Sequence, residues 1–143
     1  MLKIREAVVK YRTKGRPPKV CLNQPHEVYG FFKRMVDGAT RELFFCVYLT
    51  GSNRVLCFEQ VAVGTSMNAV IDCKAIVRTA LLVGAESVIL VHNHPSGECI
   101  PSSADKEVTA RVKLVCKPFD INVLDHLVIG EGQFTSFKQT GVL

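Results

Sequence analysis

No apolar run in this 143-residue chain approaches the ~18 residues that a membrane-spanning helix needs. The polar, basic N-terminus holds no apolar stretch of the secretory-signal kind, so a cytoplasmic, soluble setting is expected, with no membrane partner. Internal repeats and low-complexity tracts are absent as well. With 48% hydrophobic and 22% charged residues, composition excludes a disordered or fibrous chain. None of the six cysteines forms a C-x-x-C pair, so neither a zinc knuckle nor a dithiol redox site is indicated. In a reducing compartment Cys21, Cys46, Cys57, Cys73, Cys99 and Cys116 default to free thiols. Cys46 and Cys57 flank an expected hairpin turn, but no bond is expected between them.

Acidic residues are scarce at one end. Residues 1–20 carry Lys3, Arg5, Lys10, Arg12, Lys14, Arg16 and Lys19 against the single acid Glu6, while the rest of the chain sums to a formal charge of −1. Such an arm can meet nucleic-acid phosphates, with Lys3, Arg5, Lys10, Arg12, Lys14 and Arg16 as contacts. Interleaved Ile4, Val8, Val9 and Tyr11 instead suggest an edge strand guarded by charge, and this reading is preferred because charge patches are weak evidence of a partner.

The length suits one domain, read as residues 21–143 behind the basic arm of residues 1–20. Pro25 opens a helix with Val28, Phe31, Phe32, Met35 and Val36 at helical spacing and Gly38 as its stop. Leu43–Leu49 is apolar on both faces and reads as a central strand. Gly51-Ser52-Asn53 turns it into a second strand over Val55–Val63. Asp72 caps a helix that buries Ile76, Val77, Ala80 and Leu81 and ends at Gly84. A short strand from Ser87 to Val91 runs into His92. Ser102–Cys116 forms a third helix with Val108, Val112 and Val115 on one stripe, Ile121–Ile129 a further strand, and Phe134–Phe137 the start of a tail. The expected order is β-α-β-β-α-β-α-β, an α/β (α+β) domain with a mixed central β-sheet flanked by helices.

Chemistry concentrates in His92-Asn93-His94-Pro95-Ser96-Gly97-Glu98-Cys99-Ile100-Pro101-Ser102-Ser103-Ala104-Asp105. Imidazoles at i and i+2 of an extended segment project from one side. Asp105, in the first turn of the following helix, can point at the same place. Two nitrogens and one carboxylate oxygen leave a fourth position open, as in catalytic rather than structural zinc sites. Taken alone, Asp105 is an ordinary helix N-terminal acid in a capping box with Ser102.

His-x-His, seven residues, Ser, two residues, Asp resembles the signature of the JAMM (JAB/MPN) metalloprotease superfamily. His92, His94, Ser102 and Asp105 fill it. The wording His-Asn-His-Pro-Ser-Gly, with Asp125-His126-Leu-Val-Ile-Gly downstream, is similar to the RadC-like branch, whose members are often labelled DNA repair proteins. The similarity runs from about Pro25 onward and does not include the helical N-terminal domain of longer RadC-like proteins. It implies an MPN/JAB-like, cytidine-deaminase-like architecture holding one zinc ion per chain on His92, His94 and Asp105. Ser102 would then bind the carbonyl or its oxyanion, and a Glu at the start of the first core strand would act as general base. Glu42 fits best, with Glu59 as competitor. Asn93 departs from the Ser or Thr usual in active peptidases, so zinc binding is the firmer implication and proteolysis the weaker.

Asp125-His126 reads as structural, with support of a ligand as the alternative. His26 reads as surface and Cys99 as a non-ligand. The function expected is zinc-dependent hydrolysis of a peptide or isopeptide bond. The alternatives are a DNA-repair or recombination module in which zinc is structural or nucleolytic, and an interaction scaffold with a decayed site. A zinc deaminase is excluded, since neither His-x-Glu nor Pro-Cys-x-x-Cys occurs. The edge strands leave dimerisation open.

Overall fold

A computed structural model describes residues 19–64 and 71–143. The described elements are α1 (Pro25–Val36), β1 (Glu42–Leu49), β2 (Val55–Gly64), α2 (Cys73–Val83), β3 (Ser87–Asn93), α3 (Ser103–Cys116), a 3₁₀ turn (Lys117–Phe119), β4 (Asn122–Ile129) and β5 (Phe134–Ser136). The basic residues Lys3, Arg5, Lys10, Arg12, Lys14 and Arg16, and the strand expected around them, lie outside the described residues.

Strand order is β2-β1-β3-β4-β5. β1 is antiparallel to both β2 and β3, and β3 is parallel to β4 through the α3 crossover. The sheet is therefore mixed, as the sequence led us to expect, and β1 is flanked by strands on both sides. Parity along the strands sorts the core into two layers. Phe45, Val47, Leu49, Ile89, Val91, Leu127 and Ile129 pack with Val28, Phe32 and Val36 of α1. Phe44, Cys46, Tyr48, Val88 and Leu90 pack on the opposite face with Ile76 and Ala80 of α2 and Val112 and Cys116 of α3. Burial on both faces is why Leu43–Leu49 has no polar alternation.

The helix ends follow local chemistry. Pro25 occupies the first turn of α1, and Glu27 closes a capping box with Gln24. The Asp72 side chain accepts from the Lys74 and Ala75 amides, and Gly84 takes the left-handed conformation that ends α2.

Three expectations need correction. Phe134 does not begin a tail. It opens β5, an edge strand paired antiparallel to Leu127–Ile129, because the Gly130 amide bonds to the Gln133 carbonyl and turns the chain back. Leu81 is 52% exposed, since α2 presents Ile76 and Ala80 to the sheet and the next residue is rotated about 100° away. Met35, at 40%, is likewise exposed beside the inward row Val28, Phe32 and Val36. The cysteines are all free, and strand register sets Cys46 opposite Glu59 and Cys57 opposite Tyr48. No helix among the described residues is long and apolar enough to cross a membrane.

Candidate metal centre

The even-numbered strand residues facing α3 bring the site together. His92 lies at the carboxyl end of β3, opposite Phe44 of β1 and Val128 of β4, and Glu42 stands two residues before Phe44 at the start of β1. His94 follows where the chain leaves the sheet, held by its amide bond to the Ile129 carbonyl. The loop then returns to α3, whose first turn carries Asp105. The site thus occupies the crevice beyond the carboxyl ends of parallel strands, where open α/β sheets bind ligands.

His92 Nε2 and His94 Nε2 lie 3.0 Å apart. Asp105 Oδ1 is 3.0 Å from His92 Nε2, and its Oδ2 is 3.3 Å from His94 Nε2. Four donors placed tetrahedrally 2.0–2.1 Å from a zinc ion are separated by roughly 3.3 Å, so the two nitrogens and the Asp105 carboxylate, one oxygen facing each ring, are close to the spacing of ligands on one ion. Glu42 Oε1 lies 3.7 Å from His94 Nε2. One ligand atom from each of Glu42, His92 and His94 lies within 4.8 Å of the others, so that trio could itself hold a metal ion. Two carboxylates thus meet the two histidines, Asp105 in the expected ligand position and Glu42 as the nearer of the two glutamates left open by the sequence. Exposure grades outward from His92 (2%) and Asp105 (6%) to His94 (12%) and Glu42 (15%), so access is from the Glu42 and His94 side.

The ring nitrogens remote from the site are committed. Thr109 Oγ1 donates to the Asp105 carbonyl at 2.7 Å, so at 2.6 Å from His126 Nδ1 it can only accept. Burial holds the His126 imidazole well below its ordinary pKa, with neighbouring His92 adding to the shift, so the ring is neutral. Its Nε2 lone pair then takes the proton of His92 Nδ1 at 2.8 Å. His94 Nδ1 likewise donates to the Glu98 carbonyl at 3.1 Å. Each neutral histidine therefore presents an Nε2 lone pair to the other and to a carboxylate. Only protons or a metal ion can join acceptors so arranged. The hydrogen bond to Asp105 raises the His94 pKa against the opposing effect of burial. For Asp105, burial works against the charged form, yet hydrogen bonds with His92 and His94 hold its carboxyl well below the usual carboxylate range. The His92 ring stacks on Phe44 at 5.4 Å, and His126 packs against Phe137 at 4.7 Å, which fixes both planes.

Other singled-out residues lie as follows. Ser102 is the N-cap of α3; its Oγ accepts from the Asp105 amide at 3.1 Å while Asp105 Oδ2 accepts from the Ser102 amide at 2.7 Å. Glu59 is not at the site. It pairs with Cys46, four residues and roughly 13 Å along β1 from Glu42, and its carboxylate accepts from Tyr48 Oη at 2.6 Å and Thr79 Oγ1 at 3.3 Å. Cys99 Sγ accepts from Thr135, and His26 is exposed. The Asp125-His126 pair divides. Asp125 is structural, accepting from Ser136 Oγ and the Lys138 amide to pin the C-terminal segment, whereas His126 supports His92. Thr109 was not singled out from sequence, although it stands one helical turn after Asp105, the spacing that lets its hydroxyl reach back.

Comparison with known proteins agrees with this architecture. Residues 22–142 match the RadC-like JAB domain family. The UPF0758 protein plu4865 of Photorhabdus laumondii subsp. laumondii is 41% identical over 120 residues, which is 84% of this chain and 52% of that protein. The chain thus spans about half the length of this curated relative. Family match and relative together show that the chain belongs to the RadC-like JAB domain family.

Proposed function

We propose that the domain is a zinc-dependent hydrolase of the JAMM type that cleaves a peptide or isopeptide bond. The observation that carries this reading is the pair of Nε2 nitrogens 3.0 Å apart, with the Asp105 carboxylate against both rings. His92, His94 and Asp105 would hold the ion, and Glu42, farther out, is assigned as general base. Bound zinc supplies Lewis acidity, polarising a carbonyl and lowering the pKa of water towards ~7. Glu42 takes a proton from the attacking water as the carbonyl carbon gains its new C–O bond, and Ser102 steadies the oxyanion. Glu42 then gives that proton to the leaving amine as the C–N bond breaks, so water is consumed and an acid and an amine are released. A groove of about 530 Å³, walled by Tyr29, Lys33, Gly97 and Gly130, reaches the site at His94, while Glu42, His92 and Asp105 line a separate pocket of about 30 Å³.

Elemental analysis of the protein, purified without chelators, tests the reading. About one zinc per chain is expected in the wild type and in Glu42→Gln, and none in Asp105→Ala. On a panel of peptides and isopeptides, turnover by the wild type and its loss in Glu42→Gln are expected. Undiminished turnover in that variant would remove Glu42 from its role. The alternative of a DNA-associated module draws on the charge of residues 1–20. DNA affinity that falls steeply with salt and vanishes on deleting them would favour it.

A further inference from the structure

Between the two histidines stands a residue whose side chain is turned away from them. Asn93 is odd in the strand register, so it points to the sheet face opposite His92 and His94, and it is buried. Backbone pairing between β1 and β3 ends at Phe44–His92. Where it ends, the Asn93 carboxamide takes over. Its Oδ1 accepts from the Leu43 amide at 2.8 Å, and its Nδ2 donates to the Arg41 carbonyl at 3.1 Å. One planar amide thus offers the acceptor and the donor that a further peptide unit of β3 would have offered, while β3 itself departs towards His94. The two backbone groups it holds belong to the residues immediately before and after Glu42.

We infer that Asn93 is a positioning residue for Glu42: it clamps the backbone on both sides of that residue and so fixes the carboxylate beside His94 Nε2. The geometry explains why a carboxamide suits this position. A hydroxyl is too short to span both groups, and a carboxylate could accept from Leu43 but would face the Arg41 carbonyl without a proton to share. The inference rests on the metal-site reading in which Glu42 works at the edge of the ion.

The test replaces zinc with Co(II) in the full chain and reads the visible absorption of the bound cobalt, together with cobalt stoichiometry and thermal unfolding. Glu42→Gln, Asn93→Leu, Asn93→Asp and the double variant Glu42→Gln/Asn93→Leu are compared with the wild type. One cobalt per chain is expected throughout, since His92, His94 and Asp105 are untouched. Asn93→Leu is expected to shift the absorption as Glu42→Gln does, the double variant to add nothing further, and Asn93→Asp to fall between. A wild-type spectrum in Asn93→Leu, or a shift that adds fully to that of Glu42→Gln, overturns the inference. If Asn93→Leu does not fold, Asn93→Asp decides, and a wild-type spectrum there overturns it. If the wild type takes up no cobalt, the metal reading fails, and the clamp is judged in the metal-free chain by the ¹³C shift of the Glu42 carboxyl. Movement in Asn93→Asp supports it, and no change overturns it.

Discussion

His126 shows what one buried side chain contributes without touching a ligand site directly. Its Nε2 lone pair fixes the proton of His92 on Nδ1, which leaves His92 Nε2 able to bind a metal ion. His126→Leu removes that acceptor and leaves His92 free to take the wrong tautomer. Metal affinity is expected to fall about 10–100-fold, measured by competition with a chromophoric chelator. His26→Leu, at an exposed position on α1, is the matched control and is expected to leave affinity unchanged. Equal affinities in the two variants would mean that the relay from Thr109 through His126 does not govern His92. Sequence wording singled out His126 and even offered support of a ligand as an alternative. It did not reveal which member of the Asp125-His126 pair served the site, because the two point to opposite faces of β4 and only sheet register assigns the faces.

At the scale of elements, the loop that carries His94 is held by contact between two backbones. A Cβ built on Gly130 would lie 2.3 Å from the Gly97 carbonyl oxygen and 3.0 Å from the Cys99 amide. Neither backbone atom can swing away as a side-chain tip would, and the adjacent Glu131 amide bonds to that same Gly97 carbonyl at 2.7 Å. Gly130→Ala should therefore cost about 1–3 kcal/mol, seen as a fall of several degrees in Tm, and should weaken metal binding through His94. Gly30 provides the opposite case. It lies inside α1 with nothing within 4 Å of a built Cβ, so Gly30→Ala is expected to stabilise by about 0.5–1 kcal/mol. Similar Tm values for the two variants would contradict this packing. Helix caps were readable locally: Asp72, Gly84 and Ser102 act within three or four residues of themselves. β5 was not, because its partner lies across a turn and three residues carry little periodicity.

For the molecule as a whole, the layered core makes a prediction about three of its six thiols. Cys46 and Cys116 are buried between the sheet and α2 and α3. Burial pushes the Cys116 thiol up to about 11 and raises that of Cys46 well above its ordinary value. Cys21 is exposed. In the native protein a thiol-reactive disulfide reagent should label Cys21 promptly, whereas Cys46 and Cys116 should react only on unfolding. Labelling of all three at one rate, followed by mass spectrometry, would be incompatible with a closed core.

By itself the sequence determined whatever depends on neighbours along the chain: element types, most helix ends, the two histidines on one side of a strand, and Asp105 one capped turn into a helix. It also carried the family resemblance, since the motif is local. Only the tertiary structure decided that Glu42 rather than Glu59 stands beside His94, that His126 backs His92, and that Asn93 holds the chain around Glu42. These are contacts between strands remote in sequence, set by register. A shift of one residue in that register would turn every one of these side chains to the opposite face.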